Sequence, residues 1–289
     1  MEPERRDETG EITMQVDGLP CRARKETDLR WLQRYGRVFR VMDFSTSGNL
    51  CFGVEGPYGR LFIKYAGAWT LNGPGRPEEA VRTLREAMPL YGREHPALTR
   101  LLAHGAAGDG YAAIFRWAEG QALRTTPPDP KVYERLRHIQ PLRALKMLDG
   151  VYDLHAALAE DGYIAVDFHD GNLLIDFERD EALVCDIDLY RKKPAVNDRG
   201  RMPGSARFMA PEEFTLGAPL NESTTVYAMG ALAFAFFGDP EEKGDAGWFG
   251  PAPLLPVARK AVAEKPLGRY ATLQTFLKAW REAVGRVRF

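Results

Sequence analysis

Cysteine is scarce in this sequence. Three copies occur in 289 residues, Cys21, Cys51 and Cys185, and neither their odd number nor their spacing matches a metal site. We therefore expect reduced thiols and no disulfide framework, which indicates a reducing compartment. The residues before Gly10 are charged and lack the apolar stretch of a secretion signal. Together these features predict a cytoplasmic protein.

A long apolar run and an excess of charge of one sign are also missing. The longest strongly apolar run, residues 226–237, is shorter than the roughly 20 residues of a membrane-spanning helix, so we expect a buried core helix and no membrane partner. The 39 basic and 40 acidic residues nearly cancel and leave a net charge of −1. Proteins that bind nucleic acid usually carry a strong basic excess, so we expect no nucleic-acid partner.

The predicted elements divide the chain into a strand-rich first part and a helix-rich remainder. The first 28 residues are highly charged, and we expect them to be loosely ordered apart from a short strand at 12–16. Alternating apolar residues predict strands at 38–44, 50–54, 60–65 and 111–117, and helical spacing predicts helices at 77–87, 132–159, 222–237, 252–263 and 272–284. This order favours the α+β class.

Two apolar segments in the second half each lead to acidic or amide side chains. Asp167 and Asn172 lie in the first segment, and Asp186 follows Asn172 by fourteen residues. Phosphoryl transfer needs a carboxylate that accepts a hydroxyl proton and oxygen ligands for Mg²⁺. The cluster therefore predicts a phosphotransfer site, although Asp and Asn are also common in ordinary turns.

The spacing within this cluster resembles that of the protein-kinase superfamily. Asp167 and Asn172 match the catalytic-loop pattern D-x-x-x-x-N, and residues 185–189, with the sequence CDIDL, are similar to the metal-binding D-F-G strand end with Asp188 in place of glycine. The resemblance implies that Asp167 is the catalytic base and that Asn172 and Asp186 bind Mg²⁺.

Further matches follow in the same order as in that family. Residues 204–212 resemble the end of a kinase activation segment with its A-P-E triplet, and residues 226–230 resemble the start of the buried helix that follows. Arg269 stands where the family has an arginine that pairs with the triplet glutamate, here Glu212, and a bidentate pair would hold the substrate-side loop.

The resemblance extends over about residues 36–283 and implies an α+β, two-lobed, protein-kinase-like fold. By this resemblance, residues 1–28 form a charged N-terminal arm. Residues 29–117 form an antiparallel-sheet N-lobe that binds the nucleotide phosphates. Residues 118–289 form a mainly helical C-lobe with the catalytic loop, the metal ligands and the substrate side.

The resemblance also assigns residues to ATP. Lys64 matches the strand lysine that holds the α- and β-phosphates, with Glu86 as its helix partner and Glu79 as a second candidate on the same helix face. Trp117 lies in the segment that resembles the adenine-binding hinge, and Leu174 is expected to pack under the base.

The expected glycine-rich loop is altered. Only Gly48 matches a glycine of the family's pattern, although small polar residues such as Ser45 can still offer N–H groups and hydroxyls to phosphate. A carboxylate at Asp43 is unfavourable near phosphates, and Phe62 replaces the small residue that makes room for adenine. Both departures leave the strength of ATP binding open.

Two features suggest different acceptors for the phosphate. His169 follows Asp167 by two residues, as in kinases of aminoglycosides and choline, and it could neutralise the transferring group. Residues 204–212 instead resemble protein kinases, and Ser205 is expected to bond to Asp167. The absence of His-Arg before Asp167 removes the partner of an activation-loop phosphate, so we expect no such switch.

We therefore predict a protein Ser/Thr kinase that uses ATP and Mg²⁺. The first alternative is a kinase of a small hydroxylated substrate such as an antibiotic or metabolite. The second is a pseudokinase scaffold, suggested by the altered glycine loop, by Phe62 and by Thr225, which replaces an aspartate that braces the catalytic loop.

Overall fold

The computed structural model of the chain describes residues 10–73, 75–125 and 129–288. The chain divides into two compact units, one of Met1–Glu94 with Thr99–Ala118 and the other of His95–Leu98 with Glu119–Phe289. The first unit is built around an antiparallel sheet and the second mainly from helices, so the predicted α+β class is confirmed.

The elements of the first unit are β1 (Ile12–Val16), β2 (Leu19–Ala23), β3 (Arg37–Met42), β4 (Asn49–Gly56), β5 (Gly59–Ala66), α1 (Pro77–Glu86), α2 (Met88–Tyr91), β6 (Leu101–Ala107) and β7 (Gly110–Arg116). Five of the strands form an antiparallel sheet in the order β3-β4-β5-β7-β6. The strands predicted from apolar alternation are confirmed. The edge strand β6 was not predicted, because its glycine and alanines have low strand propensity.

Residues 12–23 form a β-hairpin, which differs from the loosely ordered arm that their charge predicted; residues 1–9 of that arm lie outside the described residues. β1 pairs with β2 through a two-residue turn at Asp17 and Gly18, both with positive φ, of 52° and 84°. Asp-Gly favours such turns strongly, so this dipeptide was the missed signal. Cys21 is fully buried in the core of the unit, which explains why the hairpin is ordered.

Alternation along the central strands determines which side chains enter the core of the first unit. Ile63 and Tyr65 of β5 belong to its hydrophobic cluster and are fully buried. Because neighbouring strand residues point to opposite faces, Lys64 projects from the other face of the sheet. The strand thereby separates the lysine from the apolar core.

In the part of the chain that the structure describes, the second unit combines five α-helices with short strands. Its elements are β8 (Gln121–Ala122), α3 (Pro130–Arg137), α4 (Pro141–Glu160), β9 (Tyr163–Ile164), β10 (Leu173–Asp176), β11 (Glu181–Val184), β12 (Arg191–Lys192), β13 (Ala195–Val196), β14 (Pro219–Leu220), α5 (Glu222–Phe237), α6 (Leu255–Ala261) and α7 (Leu273–Val284). Residues 132–159 were predicted as one helical stretch, but they form parts of α3 and α4. Pro141 explains the break, because its ring cannot continue a helix from the preceding turn.

The core of the second unit is packed around α5. As predicted, α5 is a buried helix, and its apolar residues face neighbours on all sides. Tyr152 of α4 donates a hydrogen bond of 3.0 Å to the Met229 carbonyl, and its ring packs edge-on against Phe276 and Trp280 of α7. In the described parts of the chain, no helix has both the length and the apolar character needed to cross a bilayer.

His155 of α4 is enclosed beside the loop that carries Asp167. Its Nδ1 lies 2.7 Å from the Val151 carbonyl oxygen, and its Nε2 lies 2.7 Å from the Tyr190 hydroxyl. A carbonyl only accepts, so Nδ1 carries the proton and Nε2 accepts from the hydroxyl, as in a neutral imidazole. Burial lowers the pKa of His155 from 6.5 to about 4.

We expect His155 to make the protein less stable as the pH falls from about 6.5 to about 4. In this interval the unfolded chain binds a proton at this residue and the folded chain does not, so acid favours unfolding. The full interval corresponds to roughly 3 kcal/mol, at about 1.4 kcal/mol for each pKa unit. Urea unfolding of the wild type and of His155→Gln at pH 4–7 measures this contribution.

Comparison of the wild type with His155→Gln separates the contribution of His155 to stability from the contributions of other titrating groups. Burial raises the pKa of Glu213 to about 8, so its contribution to stability changes in the opposite direction, being present below about 4.5 and lost as the pH rises through about 8. This contribution is common to both proteins. If plots of the free energy of unfolding against pH remain parallel for the two proteins between pH 4 and 7, the proposed role of His155 is wrong.

Candidate active site

The loop between β9 and β10 holds three of the predicted site residues, Asp167, His169 and Asn172, and the last two share one compact turn. Asp170–Asn172 form a single helical turn with His169 as its N-cap. The His169 Nδ1 accepts from the Gly171 N–H at 2.9 Å, and the Asn172 Oδ1 accepts from the His169 N–H at 2.7 Å. A side chain at 171 would lie 2.6 Å from the His169 ring, which explains the glycine.

This capping arrangement orients the histidine toward Asp167. Because Nδ1 accepts a hydrogen bond, the proton of the neutral ring is on Nε2. The His169 Nε2 lies 3.8 Å from the Asp167 Oδ1. The structure therefore brings Asp167 and His169 together, with the N–H of the ring on the side of the carboxylate.

Asp167 and Asp186 both have the left-handed backbone conformation, with φ of 65° and 57°. This conformation is costly for residues other than glycine, and it occurs often at functional sites. Asp17 and Asp180 share it, but they lie in the turns of β-hairpins, where it is expected. At Asp167 and Asp186 the conformation instead redirects the chain after an extended segment.

The pairing of β10 with β11 brings Asn172 next to Asp186. Leu173 lies opposite Val184, the Cys185 N–H donates to the Asn172 carbonyl at 2.8 Å, and the Asn172 Nδ2 lies 3.5 Å from the Asp186 carbonyl oxygen. Among the described residues, no group of three His, Cys, Asp or Glu side chains is arranged as metal ligands. The predicted pair has one amide and one carboxylate, and Mg²⁺ commonly completes such a set with water and phosphate oxygens.

The 204–212 segment lies against Asp167 through Gly204. A side-chain carbon at this glycine, which has φ of 129°, would be 3.4 Å from the Asp167 Cα and Oδ1. The next residue, Ser205, accepts a 2.8 Å hydrogen bond from the Phe208 N–H through its carbonyl. The expected bond between the Ser205 hydroxyl and Asp167 stays a prediction.

The predicted Glu212–Arg269 pair is confirmed. The two guanidinium Nη atoms donate to the two carboxylate oxygens at 2.7 and 3.0 Å, and both residues are buried. Arg269 also donates to three backbone carbonyls, and the Thr224 hydroxyl donates to Glu212. Every charged atom of the pair thus has a hydrogen-bond partner, which a buried ion pair requires.

Thr225 keeps a brace that the sequence suggested was lost. Its hydroxyl accepts a 3.0 Å hydrogen bond from the Ala165 N–H, just before Asp167. A hydroxyl can satisfy this buried N–H as a carboxylate can, and it does so without a buried charge. The substitution of aspartate by Thr225 therefore no longer favours a scaffold role.

Sequence reasoning missed a cluster of three side chains beside this loop. The Arg207 Nη2 donates to both carboxylate oxygens of Asp170, at 2.9 and 2.8 Å, and the Tyr133 hydroxyl donates to the same carboxylate. The sequence did contain a signal for the ion pair. Asp170 and Arg207 have opposite charges and lie in two segments that the family motifs already predict to be neighbours.

In the first unit, Lys64 is buried, with 4% of its surface exposed. It lies in β5 opposite Cys51 of β4 and Ala113 of β7. Glu86 is the last residue of α1 and is exposed, and Glu79 is exposed in the first turn of the same helix. The pairing of Lys64 with either glutamate stays a prediction.

The altered glycine loop is held by its own polar side chains. The hydroxyls of Ser45 and Ser47 are 2.6 Å apart, and the Asn49 Nδ2 donates to the Ser47 Oγ at 2.9 Å. Gly48 has φ of 81°, a conformation that favours glycine. This explains why Gly48 is the glycine that the pattern retains.

Asp43 is neutralised by the N-terminal hairpin. Arg22 of β2 donates to its carboxylate through Nε at 3.0 Å, through Nη2 at 3.1 Å and through the backbone N–H at 2.8 Å. The Asp43 side chain is buried in this pair, so its charge is compensated within the first unit. The unfavourable carboxylate expected near phosphates is therefore already paired.

The residues assigned to adenine have different surroundings. The backbone N–H of Trp117 donates to the Arg60 carbonyl at 3.0 Å. The Trp117 ring packs against that of Phe39, with ring centroids 4.9 Å apart. In the second unit, Leu174 of β10 is half-buried and lies opposite Ala122 of β8. Phe62 is half-buried on β5, with its ring 6.1 Å from that of Phe115. Their contacts with adenine stay predictions.

Comparison with known proteins gave two informative relatives, although no protein-family model matches the chain. The serine/threonine-protein kinase pkn2 of Myxococcus xanthus is 27% identical over 201 residues, which cover 66% of this chain and 22% of the relative. The dual specificity protein kinase zakA of Dictyostelium discoideum is 26% identical over 170 residues, which cover 53% of this chain and 21% of the relative. The matched part thus corresponds to about a fifth of the length of each relative.

Proposed function

The chain is related to the protein-kinase superfamily, and from this premise we propose that it is an ATP-dependent protein kinase that phosphorylates serine or threonine. The observation that carries the proposal is the arrangement in the second unit, where Asn172 lies beside Asp186 and Gly204 lies against Asp167. A base, two oxygen ligands and a substrate-side segment are the parts that phosphoryl transfer requires.

In this proposal Asp167 is the base. Its carboxylate takes the proton of the acceptor hydroxyl while the hydroxyl oxygen bonds to the γ-phosphorus and the bond from that phosphorus to the β–γ bridging oxygen breaks, which releases ADP. The His169 Nε2–H, 3.8 Å from the Asp167 Oδ1, is placed to offset the negative charge that accumulates nearby. Ser205 is assigned to orient Asp167.

Asn172 and Asp186 fit a magnesium ion by their chemistry. Both offer hard oxygen atoms, and the Asn172 Oδ1 has a second lone pair beyond the one that accepts from the His169 N–H. When bound, Mg²⁺ neutralises charge on the nucleotide phosphates. The chain contributes the pairing of β10 with β11, which sets the separation of the two ligands.

The first unit is assigned to the rest of ATP. Lys64, with Glu86 as its partner, would hold the phosphates, and the backbone around Ser45 and Gly48 would donate to them. Trp117 is assigned to the adenine side, as is Leu174 in the second unit. No disulfide joins the three cysteines, which fits the cytoplasmic location that we also propose.

A protein acceptor is favoured over a small hydroxylated molecule. The 204–212 segment is anchored by the buried Glu212–Arg269 pair, so it presents a defined surface next to Asp167. Such a surface suits a peptide chain, and both relatives are named as protein kinases.

The test is ATP turnover by the purified protein with Mg²⁺, measured for wild type, Asp186→Asn and Asp180→Asn. Each assay is run with a generic protein substrate and with a panel of amino-hydroxyl small molecules. Asp180 is a matched control, because its φ of 56° equals that of Asp186 within one degree and the change of charge is the same. We expect Asp186→Asn alone to abolish transfer to the protein substrate.

Other outcomes would change the proposal in defined ways. Transfer that depends on Asp186 but reaches only the small molecules would identify a small-molecule kinase. No Asp186-dependent turnover, together with no thermal shift of the wild type on addition of Mg·ATP, would instead support a pseudokinase scaffold.

A further inference from the structure

A buried charge cluster links three separate segments of the second unit. Asp170 belongs to the loop that carries Asp167, Arg207 to the 204–212 segment and Tyr133 to α3. The Asp170 side chain has no exposed surface, and that of Arg207 is 8% exposed. Both carboxylate oxygens accept from Arg207, and one also accepts from Tyr133. We refer to Tyr133, Asp170 and Arg207 as the anchor cluster.

The anchor cluster balances its charges almost entirely by itself. The Arg207 Nε lies 3.2 Å from the Glu241 carboxylate, whose side chain is 67% exposed, so the second anion remains in contact with solvent. The Arg207 guanidinium and the Tyr133 hydroxyl both donate to the buried Asp170 carboxylate, and the His169 Nδ1 lies 3.6 Å from its Oδ1. Removal of either member of the pair would leave the other buried without its main partner of opposite charge.

The position of the cluster connects it to the base. Asp170 follows Asp167 by three residues and opens the helical turn that His169 caps. Arg207 follows Gly204 by three residues, and Gly204 is so close to Asp167 that a side-chain carbon added to it would be in van der Waals contact with that residue. The loop and the 204–212 segment are therefore connected at two places. One connection is the Asp170–Arg207 ion pair, and the other is the close approach of Gly204 to Asp167.

We propose that Arg207, Asp170 and Tyr133 are positioning residues that hold the 204–212 segment against Asp167, so that the acceptor hydroxyl is delivered to the base. This inference rests on the proposed kinase function. A displacement of about 1 Å at such a site can reduce the rate by about 100-fold without loss of a reacting group. None of the three side chains needs to touch ATP, so the effect should appear in kcat and not in the KM for ATP.

The experiment compares wild type with Arg207→Met, which retains an unbranched apolar side chain and removes the guanidinium with its charge. We expect kcat to fall about 10- to 100-fold while the KM for ATP changes less than about twofold. Arg207→Lys, which can restore one ionic contact, should recover part of the loss. Arg143→Met is the control, because it removes an ion pair with Asp180 elsewhere in the same unit, and we expect it to keep wild-type kcat.

Hydrogen–deuterium exchange provides a readout that does not depend on activity. We expect Arg207→Met to raise exchange in both 167–172 and 204–208, and Arg143→Met to leave these peptides unchanged. Should Arg207→Met not fold, Tyr133→Phe removes one hydrogen bond and retains the ion pair, and a smaller rise in the same peptides is expected. Wild-type exchange in the folded variant would overturn the proposal.

The two proposals can fail separately. A wild type without Asp186-dependent transfer would refute the kinase function, and the exchange data would still decide whether the cluster holds the segment against the loop. If the wild type is active and folded Arg207→Met is less stable but retains its kcat, the cluster is a purely structural ion pair and the positioning role is wrong. A lower kcat with altered exchange supports it.

Discussion

Asp167→Asn is expected to lower kcat for phosphotransfer by about 100- to 10,000-fold, the usual contribution of a positioned base. Asparagine has the same shape but cannot take the proton of the acceptor hydroxyl. It also tolerates the left-handed conformation that Asp167 adopts at φ of 65°, so the loop should retain its geometry. Steady-state kinetics with saturating Mg·ATP measure the loss.

The KM for ATP and the free energy of unfolding are the internal controls of this experiment. Asp167 makes no contact assigned to the nucleotide, so both should remain close to the wild-type values. Asp180→Asn, which changes an aspartate of the same backbone conformation, should keep full activity. If Asp167→Asn retained wild-type kcat, the assignment of the base would be wrong, and His169 would be the next group to test.

Arg269→Ala is expected to destabilise the second unit by about 3–5 kcal/mol. The substitution leaves the Glu212 carboxylate buried with its charge, and three backbone carbonyls lose the donor they share. Since the pair anchors the 204–212 segment, activity should also be lost at temperatures where the chain remains folded. Chemical denaturation monitored by tryptophan fluorescence measures the change in stability.

An exposed arginine provides the matched control for this prediction. Arg281 of α7 forms bidentate hydrogen bonds with Asp149, but its side chain is 47% exposed, so Arg281→Ala should cost no more than about 1 kcal/mol. The double variant Glu212→Gln/Arg269→Ala should lose less than the sum of the single changes, because no charge is then left uncompensated. A loss below about 1 kcal/mol for Arg269→Ala would contradict the importance of burial.

Local patterns were sufficient for most of the secondary structure. α5 begins at Glu222 and ends at Phe237 as predicted, because Asn221 is a suitable N-cap before it and Gly238 follows the apolar residues 226–237 as a stop signal. The break at Pro141 and the Asp17–Gly18 turn were also encoded locally, but they were overlooked. The edge strand β6 differs from these cases, because pairing with β7 and not its own composition makes it a strand.

The pairing of distant residues could be predicted only where a motif supplied both partners. Glu212 and Arg269 are 57 residues apart, and a resemblance to a known family named each of them before their contact was seen. Arg22 and Asp43 belong to no such pattern, so the neutralisation of Asp43 was unexpected. The brace by Thr225 is likewise invisible in the sequence, because the partner of its hydroxyl is a backbone N–H, which belongs to no motif.

Periodicity and short spacings along the chain were enough to predict the class of the fold, most of its elements and the residue types suited to phosphotransfer. The support of those residues by their neighbours is visible only in the folded chain. There the His169 ring lies beside Asp167, the Thr225 hydroxyl accepts from the Ala165 N–H, and Asp170 is buried against Arg207. The physical reason is that hydrogen bonds and ion pairs depend on distances of a few ångströms between groups far apart in sequence, which composition and periodicity do not contain.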